Sequence, residues 1–221
     1  MTEPGPRPEP GYLRTIRASY DTAAVSYEEI VRDHLANSPY DRAMLTAFAD
    51  QVRTDGGGPV ADIGCGPGRV TAYLDALGVD AFGIDLSPGM VDVARRACPG
   101  LRFDVGSMTA LDLPDGSLGG LVAWYSIIHL PPDVLPSVFA GFHRVLAPGG
   151  RLLLAFKAGD EVRHLGRGYG HDLSLDVHWL PPARVAGWLA DAGFEVRAQL
   201  VREPDPQEKQ PQAYLQATRG R

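Results

Sequence analysis

Between residues 60 and 157, short apolar segments alternate with amphipathic ones, and this alternation constrains the fold more than any other feature. The apolar segments have the length and composition of strands: 60–63, 80–84, 101–105, 118–125 and 151–157. The segments between them have helical spacing: 69–77, 88–97 and 132–146. Strands that alternate with helices form a parallel sheet covered by helices on both faces. The sequence therefore predicts an α/β fold with a doubly wound sheet.

The flanking segments complete this picture. A helix over 182–192 is followed by strands 195–201 and 212–217, which predict an antiparallel hairpin at the end of the sheet. The sheet then has seven strands, mostly parallel, with an antiparallel C-terminal strand. Helical patterns over 19–36 and 41–52 predict an N-terminal helical cap within residues 11–55. Residues 1–10 are proline-rich and predict a disordered tail, so residues 11–221 form a single predicted domain.

Residues 158–180 interrupt the alternation of strands and helices. They contain four glycines and three histidines, and residues 173–177 alternate as in a short strand or hairpin. The histidines are spaced by seven, but the glycines between them exclude a continuous helix and no acidic ligand set accompanies them. The segment is predicted to be a lid or wall beside the site, and no metal is expected.

The most informative motif is the glycine loop over residues 60–69. Gly64, Gly66 and Gly68 follow the first predicted strand and precede a helix, in the place where open α/β sheets bind ligands. A dinucleotide-binding loop has the spacing G-x-G-x-x-G, whereas this loop has G-x-G-x-G. Asp62 stands two residues before Gly64, where a carboxylate would repel pyrophosphate and suit a cationic group.

A second acidic residue marks the end of the second predicted strand. Asp85 lies twenty-one residues beyond Gly64, where a carboxylate accepts hydrogen bonds from ribose hydroxyls. Nucleotide sites and S-adenosylmethionine sites share this feature. Asp62 and the glycine spacing therefore separate the two classes, and Asp85 does not.

From Tyr20 to Lys157 the ordered motifs resemble those of class I S-adenosylmethionine-dependent methyltransferases, in particular the small-molecule branch. The matching segments are Tyr20–Tyr27, Asp62–Gly68, Gly83–Ser87, Gly106–Met108, Leu113–Leu118 and Leu146–Gly150. The resemblance implies a Rossmann-like fold and S-adenosyl-L-methionine as cofactor. One departure is Gly106, which stands where many relatives carry an acidic residue.

Together, the motifs and the resemblance give the candidate site residues. The candidate cofactor-binding residues are Tyr20, Asp62, Gly64, Cys65, Gly66, Gly68, Asp85, Leu86, Ser107, Met108 and Tyr125. His129 follows the fourth predicted strand at the same sheet edge and is the candidate acid–base or acceptor-orienting residue, because imidazole titrates near neutrality. The candidate acceptor-binding residues are Tyr169, His171, His178 and Trp179.

Charge and composition limit the partners. Lys and Arg number 21 against 27 Asp and Glu, giving a net charge of -6, so a nucleic-acid partner is not expected. No apolar run approaches membrane-spanning length and no signal peptide is evident, which predicts no membrane partner and a cytoplasmic location. We expect methyl transfer to a small-molecule acceptor in specialised metabolism. The sequence leaves open the oligomeric state and O-, N- or C-methylation. The alternatives are an NAD(P)-dependent oxidoreductase and a non-catalytic cofactor-binding domain.

Overall fold

The computed structural model of this chain describes residues 9–220. Most of the predicted disordered tail, residues 1–8, lies outside the described residues. Among residues 9–220, no helix combines the length and the apolar character needed to cross a membrane.

Three helices form the N-terminal cap. They are α1 (Gly11–Val31), α2 (His34–Asn37) and α3 (Pro39–Thr54). The sequence predicted that the first helix begins at Ser19, but α1 begins at Gly11. The added turns pack the buried Leu13 and the partly buried Ile16 against the main core, which stabilises the early part of the helix.

Seven strands form the predicted sheet: β1 (Val60–Ile63), β2 (Ala81–Asp85), β3 (Phe103–Val105), β4 (Leu118–Trp124), β5 (Leu146–Lys157), β8 (Phe194–Arg202) and β9 (Gln212–Arg219). Their spatial order is β3-β2-β1-β4-β5-β9-β8. The pairs from β3 to β5 are parallel, and β9 runs antiparallel to both its neighbours. The predicted seven-stranded, mostly parallel Rossmann-like sheet is confirmed.

Helices cover both faces of this sheet. They are α4 (Arg69–Ala76), α5 (Pro88–Ala97), α6 (Leu135–Val145) and α7 (Pro182–Asp191). In β1 the side chain of Val60 packs with α3 and α4, whereas Ile63 packs with α6 and α7 in the opposite core. Each fully buried apolar side chain stabilises the fold by about 1.5–3 kcal/mol. These two cores hold the carboxyl ends of the parallel strands together at one edge of the sheet.

The sixth and seventh strands form a separate hairpin, β6 (Glu161–Gly168) and β7 (His171–Trp179). The hairpin packs on α1 through a small apolar cluster that includes Ala23 and Leu175. Ser19 Oγ also donates to the carbonyl of Ser174 at 3.2 Å and accepts from its N–H at 3.1 Å. The segment predicted as a lid or wall therefore contains a two-stranded hairpin that is held against the N-terminal cap.

One boundary differs clearly from the sequence prediction. The turn over 147–150 was predicted to stop the preceding helix before a strand at 151–157. Instead β5 begins at Leu146, which pairs with Leu118 across a register shift. The next paired position is Arg151 with Gly120, so residues 147–150 lie in an irregular stretch of the β4–β5 ladder, where Gly149 has a φ of +81°.

Candidate active site

The glycine loop joins β1 to α4 in a conformation that favours glycine. Gly64, Gly66 and Gly68 have φ values of +74°, +54° and +83°, which L side chains rarely adopt. A Cβ on Gly64 would lie 2.3 Å from Cβ of Ser126, and one on Gly68 would lie 2.7 Å from the ring of Phe103. Gly64 therefore allows close approach of the β4 edge, and Gly68 allows α4 and β3 to pack.

An inner cavity opens above this loop. Eight of the eleven predicted cofactor-binding residues line it: Tyr20, Gly64, Gly66, Asp85, Leu86, Ser107, Met108 and Tyr125. The other three, Asp62, Cys65 and Gly68, are not among its lining residues.

Asp62 is buried beneath the loop, with 1% of its surface exposed. Its Oδ2 accepts a 2.7 Å hydrogen bond from Thr71, while its Oδ1 has no partner among the described residues. Burial raises the pKa of Asp62 to about 7, even though Thr71 and Arg69 oppose that shift. An unpaired carboxylate oxygen at this position favours a cationic partner.

Cys65 packs its side chain behind the loop rather than into the inner cavity. It belongs to a small buried cluster with Val91, Ala94 and Phe103. Burial also raises the pKa of this thiol, which keeps it protonated. The sequence analysis placed Cys65 among the cofactor-binding residues, and the structure gives its side chain a packing position.

Asp85 ends β2 and lines the inner cavity. Its two carboxylate oxygens accept 2.8 Å hydrogen bonds from the N–H groups of Gly66 and Ser87. Burial raises the pKa of Asp85 to about 6, while these hydrogen bonds stabilise the charged form. The carboxylate is thus fixed in orientation at the cavity wall.

Tyr20 and His129 form a hydrogen-bonded pair at the mouth of the inner cavity. The Tyr20 hydroxyl lies 2.6 Å from His129 Nε2, and His129 Nδ1 lies 3.1 Å from the Asp176 carbonyl. Because a carbonyl only accepts, Nδ1 carries the proton and donates it, and Nε2 accepts from Tyr20. The pKa of His129 is lowered to about 4, mainly by burial; the charges of Lys157 and His178 act in the same direction, and the hydrogen bond to Asp176 opposes them. The imidazole is therefore neutral at neutral pH.

Tyr125 separates the inner cavity from a second space. Its φ of 53° is unusual for a residue with a side chain and marks backbone strain directly after β4. Its N–H donates to the Ala155 carbonyl at 2.8 Å, and its hydroxyl donates to Tyr214 at 3.4 Å. Strain of this kind persists where the surrounding structure holds the residue in place, as these contacts do.

The second space, here called the hairpin cleft, lies between the hairpin, α1 and the ends of β4 and β5. It shares Tyr20, Tyr27, Tyr125 and His129 with the inner cavity. Tyr169 and Trp179, which the sequence analysis predicted to bind the acceptor, line the cleft.

The other two predicted acceptor-binding residues lie elsewhere. His171 and His178 are not among the lining residues of either space. His171 Nε2 lies 3.1 Å from Ser26 Oγ and helps dock the hairpin on α1. His178 follows Val177 on a strand, so the two side chains point to opposite faces, and Val177 lines the cleft.

Several lining residues were missed from the sequence, among them Lys157, Arg163 and His164. Lys157 carried a usable signal, because it is the charged last residue of an otherwise apolar strand at the ligand-binding edge. Arg163 and His164 could not be placed from the sequence, because the pairing of β6 with β7 decides which side chains of the hairpin line the cleft. No group of three or more His, Cys, Asp or Glu side chains suited to a metal ion occurs within residues 9–220.

Comparison with known proteins agrees with this geometry. Residues 60–150 match a family described as "Methyltransferase domain". The chain is 36% identical over 120 residues to an uncharacterised methyltransferase of Mycobacterium bovis, a match that covers 51% of this chain and 47% of that protein. The chain thus spans about half the length of this curated relative.

Solved structures share the whole fold. The 1,6-didemethyltoxoflavin-N1-methyltransferase of Burkholderia thailandensis superimposes with a TM-score of 0.70 and 21% identity, covering 99% of this chain and 94% of that one. The magnesium protoporphyrin IX methyltransferase of Synechocystis PCC 6803 gives 0.72 and 16%, covering 97% and 100%. At these identities the likeness concerns the fold. Together with the sequence matches and the glycine loop, it confirms the predicted resemblance to the class I S-adenosylmethionine-dependent methyltransferases.

Proposed function

We propose that this protein transfers a methyl group from S-adenosylmethionine to a small-molecule acceptor. The observation that carries the proposal is the junction of two spaces at Tyr20, Tyr125 and His129. When bound in the inner cavity, S-adenosylmethionine would supply a methyl group activated on a sulfonium sulfur. A nucleophile held in the hairpin cleft would meet that methyl group at the junction. The Burkholderia neighbour, solved with 1,6-didemethyltoxoflavin and S-adenosylhomocysteine together, supports such a two-part site.

The residues of the inner cavity fit this cofactor. Asp85 is oriented to accept hydrogen bonds from ribose hydroxyls, and Leu86 and Met108 offer apolar surface to an adenine ring. Below the loop, Asp62 Oδ1 and Arg69 Nη1 are both buried without partners among the described residues. A methionine end carries an ammonium and a carboxylate, which would complement this carboxylate and this guanidinium. Unpaired buried polar atoms are costly, so a ligand that pairs them gains affinity.

Proton release on binding distinguishes this cofactor from a dinucleotide. Because the pKa values of Asp62 and Asp85 are raised to about 7 and about 6, both carboxyls are partly protonated near pH 6.5. A cationic ligand stabilises the charged carboxylates, so its binding should release part of a proton. Calorimetry in two buffers of different ionisation enthalpy measures this release. Asp62→Asn should remove most of it, and NADH should produce none. Tight binding of NADH without S-adenosylmethionine binding would favour an oxidoreductase.

Removing Asp85 tests the ribose contact directly. Asp85→Ala should weaken S-adenosylmethionine binding by roughly 1–3 kcal/mol, the cost of leaving polar groups unpaired. Asp92→Ala is the matched control, because Asp92 is exposed on α5 and does not line the inner cavity. Equal affinity of both variants would remove Asp85 from the cofactor site.

The Tyr20–His129 pair gives the site a route for a proton. With a hydroxyl acceptor, the acceptor O–H would donate to Tyr20 Oη while Tyr20 passes its own proton to His129 Nε2. His129 would then hold the proton released from the acceptor oxygen as that oxygen takes the methyl group. The cofactor, when bound, would supply the methyl group and keep the electron pair of its carbon–sulfur bond on sulfur. General-base assistance typically contributes 10²–10⁴-fold. His129→Gln should therefore lower kcat by roughly that factor while cofactor affinity stays nearly constant.

An amine acceptor needs less of this machinery. It already has a free electron pair, so Tyr20 would orient it through a hydrogen bond without removing a proton first. A smaller kcat loss in His129→Gln than in the hydroxyl case would then indicate N-methylation. Mass spectrometry of products from a metabolite library, chosen to cover specialised metabolism, identifies the acceptor. Cofactor binding without any methylated product would favour a non-catalytic binding domain.

The aromatic wall of the hairpin cleft is proposed to select the acceptor. Tyr169 and Trp179 line the cleft and can pack against a planar molecule. Trp179→Ala should raise the acceptor KM or change acceptor preference, with cofactor affinity nearly unchanged, because Asp85 lies in the inner cavity. His171→Ala is the contrasting variant, since His171 docks the hairpin outside the cleft lining. Unaltered acceptor kinetics in Trp179→Ala would make the hairpin a structural element.

A further inference from the structure

The hairpin cleft has a charge unlike that of the whole protein. The chain carries a net charge of -6. Yet the described residues that line the cleft include four cations, Lys157, Lys209, Arg163 and Arg69, against one carboxylate, Glu208. Arg163 is paired with Glu161 by hydrogen bonds of 2.8 and 3.1 Å, and Arg69 is assigned above to the cofactor, which leaves Lys157 and Lys209 for a ligand in the cleft. A concave surface of one charge sign raises the local concentration of ligands of opposite charge. The cleft therefore favours an anionic ligand, although the overall charge of the protein would repel one.

The single carboxylate of the cleft is already neutralised by another residue. Arg202 holds Glu208 with two hydrogen bonds of 2.5 and 2.7 Å, and the N–H of Asp205 donates to the same carboxylate at 2.8 Å. Burial alone would raise the pKa of Glu208, but these contacts lower it, so that the group stays charged and paired. Arg202 thus takes the direct hydrogen bonds of Glu208, while Lys157 and Glu208 attract each other only at longer range.

Lys157 is the cation best placed to meet a ligand. It is half-buried at the last position of β5, beside the junction formed by Tyr125 and His129. Its ammonium takes part in none of the ion pairs or side-chain hydrogen bonds formed among residues 9–220. Burial lowers the pKa of Lys157, and its charge in turn lowers the pKa of His129. A partly desolvated, unpaired ammonium thus faces the space where the acceptor would react.

The remaining walls of the cleft are aromatic. The rings of Tyr27 and Tyr169 meet edge to face at 4.9 Å between centroids. The Arg163 guanidinium lies 4.7 Å from the centroid of the Trp179 ring, over its face. Flat rings and a stacked guanidinium favour a planar, electron-rich ligand. The aromatic rings favour a planar ligand and the charge of the cleft favours an anion, so both are satisfied by a planar anionic molecule.

We propose that the acceptor is a small aromatic acid whose carboxylate is bound by Lys157, so that its nucleophilic group lies at Tyr20 and His129. This inference rests on the proposed methyl transfer and specifies its substrate class. Pairing with the carboxylate offsets the charge that Lys157 presents to His129, so the bound acid makes the imidazole more basic. The acceptor thereby helps to activate the residue that takes up its proton.

Matched acids and amides test this assignment by binding alone. The probes are a series of hydroxybenzoates and the corresponding hydroxybenzamides, titrated by calorimetry into protein saturated with S-adenosylhomocysteine. The wild type should bind at least one acid about 10-fold or more tightly than its amide, as a charge-assisted contact predicts. Lys157→Met should lose this preference and Lys157→Arg should keep it. Lys209→Met, at an exposed position of the same cleft, should also keep most of it, since solvent screens that charge.

The outcomes separate the inference from the proposed function. Retained S-adenosylhomocysteine binding shows that each variant is folded and that the inner cavity is intact. If no acid binds more tightly than its amide, or if Lys157→Met keeps the preference, the inference is overturned while methyl transfer stands. If the wild type does not bind S-adenosylhomocysteine at all, the proposed function itself fails.

Discussion

Replacing His129 by glutamine should change how the stability of the ligand-free protein depends on pH. In the native state the pKa of His129 is about 4, mainly because the imidazole is buried. In the unfolded chain it returns to its ordinary value near 6.5. Between these two values the unfolded state binds a proton that the native state excludes. The stability contributed by the neutral imidazole is therefore present above pH 6.5 and is lost as pH falls toward 4.

The size of the effect follows from the shift. A difference of about 2.5 pKa units at 1.36 kcal/mol per unit corresponds to about 3 kcal/mol once the transition is complete. At pH 5 the loss is about 2 kcal/mol, because the native imidazole is still mostly neutral there. Asp62 and Asp85 act in the opposite direction, since their pKa values are raised in the native state and protonation favours folding. Their contribution is common to wild type and variant and cancels when the two are compared.

The assay is urea unfolding of both proteins at pH 8, 7, 6 and 5. The glutamine variant is expected to be less stable overall, so the informative quantity is the change with pH. The difference in unfolding free energy should be constant between pH 8 and 7 and should shrink by about 2 kcal/mol by pH 5. A difference that stays constant down to pH 5 would refute the reasoning, because His129 would then titrate as it does in the unfolded chain. Such a result would also mean that His129 is already protonated at pH 5 and cannot accept a proton from Tyr20 there.

Three further predictions concern the loop, the hairpin and metal ions. Gly64→Ala should lower the free energy of unfolding by about 1–3 kcal/mol, because Gly64 has a left-handed backbone and lies close to Ser126. Gly141→Ala, in open space on α6, should raise it by about 0.5–1 kcal/mol. Chemical denaturation measures both changes. Ser19→Ala should speed hydrogen exchange throughout the β6–β7 hairpin by removing its bonds to the hairpin backbone, while Thr22→Ala, whose exposed hydroxyl bonds within α1, should not. We expect methyl transfer to persist in the presence of a chelator; loss of activity that a divalent ion restores would contradict this.

The parts of the fold that the sequence predicted well depend on local signals. The bounds of β1 and α5 match the predictions, because β1 is a run of four buried residues and α5 starts with Pro88 after a capping serine. Ser87 Oγ accepts from the N–H of Met90, a contact that its neighbours in the chain alone determine. The glycine spacing and the strand-end Asp85 were equally local signals, and Gly64, Gly66 and Asp85 line the inner cavity.

The parts that the sequence did not predict depend on distant contacts. His171 docks the hairpin because it meets Ser26, 145 residues earlier in the chain. Cys65 turns its thiol away from the inner cavity because Phe103 and α5 pack there. Neither the hydrophobic periodicity nor the motif spacing of a sequence indicates which side chains line the same cavity after folding. The strand-end position of Lys157 was visible in the sequence, but only the assembled cleft shows that its ammonium has no ion-pair or hydrogen-bond partner among residues 9–220.

The bond between His129 and the hairpin has an evolutionary consequence. Nδ1 donates to the main-chain carbonyl of residue 176, and every amino acid presents the same carbonyl. Substitutions along β7 can therefore reshape the wall around Trp179 without disturbing the tautomer of the imidazole. Under the proposed function, selectivity and reactivity would therefore change independently within one hairpin. Its side chains could diverge toward new acceptors, while its backbone would keep His129 in the same tautomer for each of them.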